Sequence, residues 1–455
     1  MNFQKICFIG LGYIGLPTAS TFAIHGLKVL GVDINQNVIN TLKKGEIHIH
    51  EPGLRDVVTQ AIHSGNFSFS THPEPADAFI IAVPTPFMDD AYGEYNNEKY
   101  KLADMRAVTS AAEAIVPHLR QGNLVILEST SPPLTTLNLV KPILEKSGLK
   151  AGVDFHLCYS PERVLPGQIL RELIENARVV GGVTPESAKA GHELYATFVK
   201  GEIIETDSTT AEMVKIMENT TRDVNIAIAN EFSRLAEKFG VDVWEAISLA
   251  NRHPRINILN PGPGVGGHCI SVDPWFFVEA APELTPLIYH ARMVNDGQPH
   301  FVVEKVKQAF LAHAAVPGGD TTRNILEGKK IAALGLAYKP DVDDLRESPA
   351  TEVVHLLQEA GAQVKAWEPF KPNADMKGID MASSFNDAIK DADAILLLVN
   401  HTEFKKLNPV EIARATNARL VIDCVHAWDA TIWQSAGFNV HLLGDNKSKI
   451  GNRNS

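Results

Sequence analysis

Lys5-Ile6-Cys7-Phe8-Ile9-Gly10-Leu11-Gly12-Tyr13-Ile14-Gly15, read on through Lys28-Val29-Leu30-Gly31-Val32-Asp33, decides the fold. Lys5 to Ile9 is a short apolar run, as expected of a strand buried on both faces. Leu16 to His25 reads as a helix closed by Gly26, and Lys28 to Val32 as a second strand ending at Asp33. Gly10, Gly12 and Gly15 therefore form G-x-G-x-x-G in its proper setting, between a strand and a helix. Glycines there let a pyrophosphate approach the backbone, and the helix N-terminus supplies positive potential. Asp33 suits a ribose diol and would repel a 2′-phosphate, so the expected cofactor is NAD rather than NADP. A structural strand–turn–helix without ligand is the competing reading. The acid and the flanking strands favour the dinucleotide.

The strand–helix alternation continues outward. Ala78 to Val83 reads as a strand ending in Pro84-Thr85-Pro86, and Asn123 to Leu127 as one ending in Glu128-Ser129-Thr130. Phe155 to Tyr159 leads likewise into Ser160-Pro161-Glu162-Arg163. Ligands of open parallel sheets sit at the C-terminal strand ends, which makes Thr85, Thr130 and Glu162 candidate site residues. Each alone reads equally well as a helix cap or turn residue. The polar, aromatic stretch Ala91 to Tyr100 reads as a mobile loop over the sheet.

From Thr209 to Gly240 one long helix is expected, apolar on more than one face and so sandwiched between domains or against a second subunit. Lys215, Asn219 and Arg222 recur at i, i+4 and i+7, forming one polar stripe that is either solvated or functional. Val241 to Asn251 reads as a further helix, leading into Gly262-Pro263-Gly264-Val265-Gly266-Gly267-His268-Cys269. Glycines at 262, 264, 266 and 267 imply positive φ or a close neighbour. Cys269 ends that loop, and a helix starting there would carry Asp273 on the same face. A tight turn with an inert buried cysteine is the alternative. Beyond a linker at Pro317-Gly318-Gly319-Asp320, strands at Lys330–Leu334, Gln363–Trp367, Ala394–Val399 and Leu420–Ile422 indicate a second, smaller Rossmann-like sheet. Lys339 and Arg346, near the start of a helix at Pro349, form a candidate anion site.

The expected class is α/β: two Rossmann-like parallel-sheet domains joined by a central helical domain with one long helix. The divisions are 1–205 for the NAD-binding domain, 206–316 for the helical domain with the cysteine loop, and 325–445 for the C-terminal sheet. A length of 455 residues requires several domains. Net charge of −12 argues against nucleic acid or an anionic membrane as a general partner. The four cysteines, Cys7, Cys158, Cys269 and Cys424, show no C-x-x-C pair, so no disulfide framework and no metal site is expected. The apolar stretch from Ile6 to Leu30 is interrupted by Gly10, Gly12, Gly15, Pro17 and Gly26, which reads as core rather than as a leader or membrane anchor. The cysteine usage points to a reducing compartment.

Taken together, G-L-G-Y-I-G-L-P at Gly10, E-S-T at Glu128, P-E-R at Pro161, the Lys215/Asn219 helix, G-G-H-C-I-S-V-D at Gly266 and Y-K-P-x-x-x-D-x-R-x-S-P at Tyr338 resemble the UDP-glucose/UDP-N-acetylmannosamine dehydrogenase family. The likeness covers about residues 3 to 430. Within the family, Cys269-Ile270-Ser271-Val272-Asp273 is similar to the acetamido-hexose branch rather than to the C-F-P-K-D pattern of the UDP-glucose enzymes. A-N-R-H-P-R at Ala250 and E-R-V-L-P-G-Q at Glu162 agree with that branch.

The resemblance implies oxidation of UDP-N-acetyl-D-mannosamine at C6 to the uronate by two hydride transfers to NAD, feeding surface polysaccharide biosynthesis. Cys269 matches the nucleophile that captures the intermediate aldehyde as a thiohemiacetal and then carries a thioester. Lys215 is implied in proton transfer and oxyanion stabilisation, Asn219 and Asp273 in holding that group or a water, and Glu162 and Thr130 in proton movement. Tyr13, Ile14, Asp33, Thr85 and Thr130 would line the NAD site. Arg163, Val164, Lys215, Asn219, Arg222, His253, Arg255, Gly266, Tyr338, Lys339 and Arg346 would surround the UDP-sugar, and a homodimer is implied. The match departs at Leu134, where the family's S-P-x-G-[ST] has glycine, close to Thr130.

Alternatives remain at this level. UDP-N-acetylglucosamine and UDP-glucose are the alternative sugars, since C2 stereochemistry is read by pocket shape. A two-electron hydroxyacid dehydrogenase would release one NADH per substrate instead of two. A non-catalytic nucleotide-sensing module would bind both ligands without turnover.

Overall fold

The computed structural model describes residues 3–49, 51–267, 269–313 and 324–446. His268 and the linker at Pro317–Asp320 lie outside the described residues. The chain separates into two compact units, Met1–Asn219 with Val272–Thr285, and Thr220–Ser271 with Pro286–Ser455.

In the first unit the strands are β1 (Lys5–Ile9), β2 (Lys28–Val32), β3 (Phe67–Ser70), β4 (Ala78–Ile81), β5 (Phe87–Tyr95), β6 (Glu98–Ala103), β7 (Leu124–Leu127), β8 (His156–Tyr159), β9 (Arg178–Gly182) and β10 (Ile203–Asp207). Eight of them form one sheet in the order β10-β9-β8-β7-β4-β1-β2-β3. Neighbours run parallel except β8 and β9. β1, β4 and β7 are almost wholly buried because both faces are covered, one by the core around Phe8 and Phe22, the other by the core around Phe79 and Tyr159. That is why they read as unbroken apolar runs.

β5 and β6 correct the expectation of a mobile loop at Ala91–Tyr100. They pair as an antiparallel hairpin. Its turn residues Asn96 and Asn97 both have positive φ, 51° and 65°. Asparagine tolerates that conformation, and two such residues match the right-handed twist of the flanking strands. The base of the hairpin is tied down where the Ala103 N–H donates to Glu279 at 2.9 Å.

A second difference concerns the cysteine loop. The helix there is Asp273–Ala280, and Cys269 to Val272 form turns ahead of it, so Cys269 and Asp273 do not share a helical face. Pro274 is the reason. It is accepted in a first turn, but inside a longer helix its ring would collide with the carbonyl four residues back.

The second unit contains β11 (Lys330–Leu334), β12 (Gln363–Trp367), β13 (Asp380–Met381), β14 (Ala394–Leu397), β15 (Leu420–Asp423) and β16 (Asn439–Leu442), all parallel, in the order β13-β12-β11-β14-β15-β16. This is the arrangement that β3-β2-β1-β4-β7-β8 takes in the first unit. The long helix, Ser208–Phe239, is continuous over 32 residues. Among the described residues no helix is long and apolar enough to cross a membrane.

Candidate active site

The glycine fingerprint shows three different physical demands. Gly10 follows β1 with φ +97°, and a Cβ there would stand 2.4 Å from the Ala82 carbonyl oxygen. At Gly15 a Cβ would meet the Gly10 carbonyl oxygen at 1.8 Å, so the turn and the following helix pack in contact. Gly12 has nothing within 4 Å. Two glycines are consumed by the fold, and the third leaves open space for an approaching group, which fits a dinucleotide. Tyr13 and Ile14 are half-buried beside it, Ile14 at the N-cap of the Gly15–Ile24 helix. Asp33, half-buried after β2, accepts the Leu11 N–H at 3.1 Å and the Asn35 N–H at 2.8 Å. It keeps further lone pairs for a ribose diol.

At the ends of β4 and β7, Thr85 and Thr130 are brought together: the Thr85 hydroxyl donates to the Thr130 carbonyl at 2.7 Å. The departure at Leu134 has a local solution. Leu134 takes φ +72°, the conformation glycine would supply. Buried Glu212, from the long helix, accepts its N–H at 2.6 Å, and also the Thr136 N–H at 2.7 Å and the Thr136 hydroxyl at 2.6 Å. The loop after Thr130 thus keeps the glycine-like backbone despite a branched side chain.

Beyond β8, Glu162 pairs with Arg178 of β9 and accepts the Arg163 N–H at 2.7 Å. The Arg163 guanidinium pairs with Glu218 and donates to the Ala177 carbonyl at 3.1 Å. Val164 packs half-buried against the core. Glu51, which sequence reasoning missed, is buried and accepts the Gly167 and Ile169 N–H groups at 2.8 and 2.9 Å. Its carboxylate lies at the N-terminus of the Ile169–Glu175 helix and anchors the far end of the P-E-R loop.

The polar stripe is partly realised. Lys215 and Asn219 are half-buried, and the Asn219 amide donates to Asp273 at 2.6 Å. Burial pushes the Asp273 carboxyl up to about 6, with Lys215 and Asn219 pulling the other way. Arg222 is exposed.

Three of the four glycines of the cysteine loop are also explained by neighbours, whereas Gly262 has nothing within 4 Å. A Cβ on Gly266 would meet the Glu347 carbonyl oxygen at 2.5 Å and Pro349 Cδ at 2.6 Å. Gly267, φ +85°, would place one 2.8 Å from the Tyr338 ring. Gly264, with φ +146°, faces Pro349. The segment before the loop hangs on a set of asparagines that sequence reasoning did not single out. Asn225 accepts the Leu259 N–H at 2.9 Å and donates to the Asn257 carbonyl at 2.8 Å. Asn251 grips Ile258 by both its N–H and its carbonyl. Buried Asn230 accepts the Gly262 N–H at 3.0 Å and is itself held by Asn295 at 2.9 Å. Asparagine offers a donor and an acceptor on one short side chain, so it can satisfy an extended backbone that has no strand partner.

Cys269 is exposed, whereas Cys7, Cys158 and Cys424 are buried. Burial pushes the Cys7 thiol up to about 11 and raises Cys158 and Cys424 as well. Those three are inert core residues, and Cys269 is the accessible thiol.

A cavity of about 190 Å³ in the second unit is lined by Trp244, Asn260, Gly264, Tyr338, Lys339 and Asn400, among others. Tyr338 and Lys339 therefore stand beside the glycine-rich loop. Arg346 turns to Asp344, at 2.8 and 2.6 Å, and Arg222, His253 and Arg255 stand exposed without lining the cavity. The Asp341 N–H donates to Nδ1 of buried His401 at 2.9 Å, so the proton on Nε2 faces Glu368 at 3.1 Å. Glu368 also accepts the Leu336, Ala337 and Phe370 N–H groups at 2.7, 3.0 and 3.0 Å. Among the described residues no cluster of side chains could hold a metal ion.

Comparison with known proteins agrees with this geometry. Residues 4–199, 209–297 and 332–430 match the NAD binding domain, central domain and UDP binding domain of the UDP-glucose/GDP-mannose dehydrogenase family. The UDP-N-acetyl-D-mannosamine dehydrogenase of Methanococcus aeolicus is 44% identical over 450 residues, covering 98% of this chain and 97% of the relative. The NDP-N-acetyl-D-galactosaminuronic acid dehydrogenase of Ralstonia nicotianae is 46% identical over 442 residues, 94% and 97% of the two chains. The solved UDP-D-ManNAc dehydrogenase of Pyrococcus horikoshii superposes with a TM-score of 0.86 at 37% identity, covering 98% and 100%. With the fingerprint, the accessible thiol and near full-length similarity in agreement, this chain is a member of the UDP-glucose/GDP-mannose dehydrogenase family and an NAD-binding dehydrogenase.

Proposed function

We propose that the protein oxidises UDP-N-acetyl-D-mannosamine at C6 to UDP-N-acetyl-D-mannosaminuronate, with water supplying the second oxygen. Per sugar, one CH₂OH, one water and two NAD⁺ become one carboxylate, two NADH and three protons. Similarity along almost the whole chain to relatives named for 2-acetamido sugars carries this reading. The residues 1–205, 206–316 and 325–445 divide the work between cofactor, cysteine loop and UDP-sugar.

Gly10, Gly12, Gly15, Tyr13, Ile14, Asp33, Thr85 and Thr130 would hold the cofactor, which when bound accepts hydride from the sugar C6. The Cys269 thiolate adds to the C6 aldehyde left by the first oxidation, giving a thiohemiacetal. Loss of the second hydride leaves a thioester, which water hydrolyses. The covalent bond also keeps the aldehyde from diffusing away. Lys215 transfers protons and stabilises the oxyanion, Asn219 and Asp273 orient it, and Glu162 and Thr130 assist proton movement. Arg163, Val164, Arg222, His253, Arg255, Gly266, Tyr338, Lys339 and Arg346 grip the UDP-sugar. Arg163 and Arg346 must then exchange their pairs with Glu218 and Asp344 for phosphate, a cost that phosphate's stronger bidentate bonds offset.

The functional unit is a homodimer in the cytoplasm, where NAD and UDP-sugars are pooled. Met213, Met217, Ile228, Phe232, Leu235 and Phe239 are exposed along the long helix at spacings that share a face, and a second copy would cover them. Light scattering on Phe232→Glu tests this, with a monomer expected.

The deciding experiment for the sugar is a parallel assay of UDP-N-acetyl-D-mannosamine, UDP-N-acetylglucosamine, UDP-N-acetylgalactosamine and UDP-glucose. The first should have the highest kcat/KM; a tenfold preference for another overturns the assignment.

A further inference from the structure

Glu128 lies at the end of β7, inside the first unit, and none of the roles above uses it. It is 3% exposed, and so is a poor place for a lone charge. Arg178 of β9, itself 4% exposed, donates from Nη1 to Glu128 Oε1 at 3.0 Å and from Nη2 to Glu162 Oε2. The same Nη1 reaches the Ser160 hydroxyl at 3.4 Å. Tyr195, on the helix Pro185–Tyr195, donates its hydroxyl to Glu128 Oε1 at 2.9 Å, and its ring lies 4.1 Å beneath the guanidinium carbon. Tyr159 of β8 is a further titratable neighbour, and its hydroxyl is fully buried. Among the described residues, none hydrogen-bonds to the buried Glu128 Oε2.

The charge count is unbalanced. Two carboxylates share a single guanidinium, so with both ionised the cluster carries one uncompensated negative charge in a buried place. Such a pair titrates as a unit, one member holding a proton over a pH range in which an isolated carboxyl would not. Glu128 is the member that holds it, being the more deeply enclosed of the two. Burial pushes its carboxyl up to about 7, with Arg178 opposing, the Glu162 charge adding and Tyr195 opposing.

We propose that Glu128 and Arg178 are positioning residues that share one proton and one positive charge with Glu162 and thereby set how strong a base Glu162 is. While Glu128 is neutral, the whole guanidinium charge acts on the Glu162 carboxylate. When Glu128 loses its proton to solvent, Arg178 is divided between two carboxylates and Glu162 becomes the stronger base. The rate of steps in which Glu162 takes up a proton therefore rises as pH increases through neutrality. This rests on the role given to Glu162 under the proposed function.

The test is the pH profile of kcat for uronate formation in Glu128→Gln, which fixes the neutral state at almost unchanged shape. The rise through neutrality should vanish, leaving kcat about three- to tenfold below wild type at about pH 8, with KM for NAD and UDP-sugar within about twofold. Tyr195→Phe, which removes a bond favouring ionised Glu128, should move the midpoint of the rise upward. The infrared difference between wild type and Glu128→Gln at about pH 6 should contain one protonated carboxyl band, over and above the band both proteins share from Asp273. An unaltered profile in folded Glu128→Gln, or an unmoved midpoint in folded Tyr195→Phe, overturns the inference. Full activity in Glu162→Gln would overturn Glu162's own role and this inference with it. An inactive Glu162→Gln beside an unaltered Glu128→Gln profile would overturn the inference alone.

Discussion

The two parallel sheets are built alike and put the same corner to different uses. β1 leads into Gly10-Leu11-Gly12-Tyr13, and β11 into Gly335-Leu336-Ala337-Tyr338. Gly10 has φ +97° and Gly335 φ +85°, and each lies against the adjoining chain, Ala82 in one case and Val399 in the other. An acid follows the second strand in both, and takes the N–H of the leucine: Asp33 at 3.1 Å, Glu368 at 2.7 Å. There the likeness ends. Asp33 is half-buried with lone pairs to spare, whereas Glu368 is fully buried and bound by three backbone N–H groups and His401. One acid keeps lone pairs open and the other is spent on holding its own loop. Ala337 correspondingly fills the space that Gly12 leaves open.

The comparison can be broken at its clearest point. Gly12→Val should fold normally yet bind NAD at least about a hundredfold more weakly, because the new side chain occupies space only a ligand uses. Ala337→Gly, at the matching place, should leave the KM for UDP-sugar within about twofold. Calorimetric titration and steady-state kinetics decide both. Next in size, Glu368→Gln should cost about 2–4 kcal/mol in urea melts and raise the UDP-sugar KM while leaving NAD binding intact. Asp33→Asn should cost less than about 1 kcal/mol and weaken NAD about tenfold.

pH sharpens the contrast further, since two buried acids respond oppositely. Asp273 is raised by burial, so the folded protein holds a proton there that the unfolded chain has lost, and stability falls as pH rises through about 6. Asp273→Asn should therefore gain up to about 3 kcal/mol over wild type at about pH 8, though uronate formation falls. At Glu368 burial pushes upward too, but bonds from His401, Leu336 and Phe370 outweigh it and hold the carboxyl low. Its contribution is present above the ordinary carboxylate range and disappears as pH falls through the lowered value. The penalty of Glu368→Gln should accordingly shrink in acid. The smallest effect is expected at Leu134→Gly, a gain of about 0.5–1 kcal/mol from relieving a leucine held at φ +72°.

Much of this was legible in the sequence, for identifiable reasons. β1, β4, β7, β11 and β14 are enclosed on both faces, and a chain so enclosed must be apolar throughout. The fingerprint glycines and Asp33 are short-range signals that a single stretch contains. Hairpin β5–β6 was not foreseen because its strands are polar, and only Asn96-Asn97 signals its turn. The partners of the site were the least visible. Glu51, Glu212, Asn230 and Glu368 act on backbone groups far away in sequence, and no local pattern distinguishes a buried acid of that kind from a surface charge. Proline at 274 marked the true start of its helix and was outweighed by the four-residue spacing of Cys269 and Asp273.

Cys269 is the accessible thiol on which the proposed four-electron oxidation depends, so its chemistry is the most direct point of attack. With UDP-N-acetyl-D-mannosamine, wild type should form two NADH for each uronate, and Cys269→Ser should form no uronate while retaining its fold. Full uronate production by that variant, or one NADH per sugar in wild type, would contradict the account.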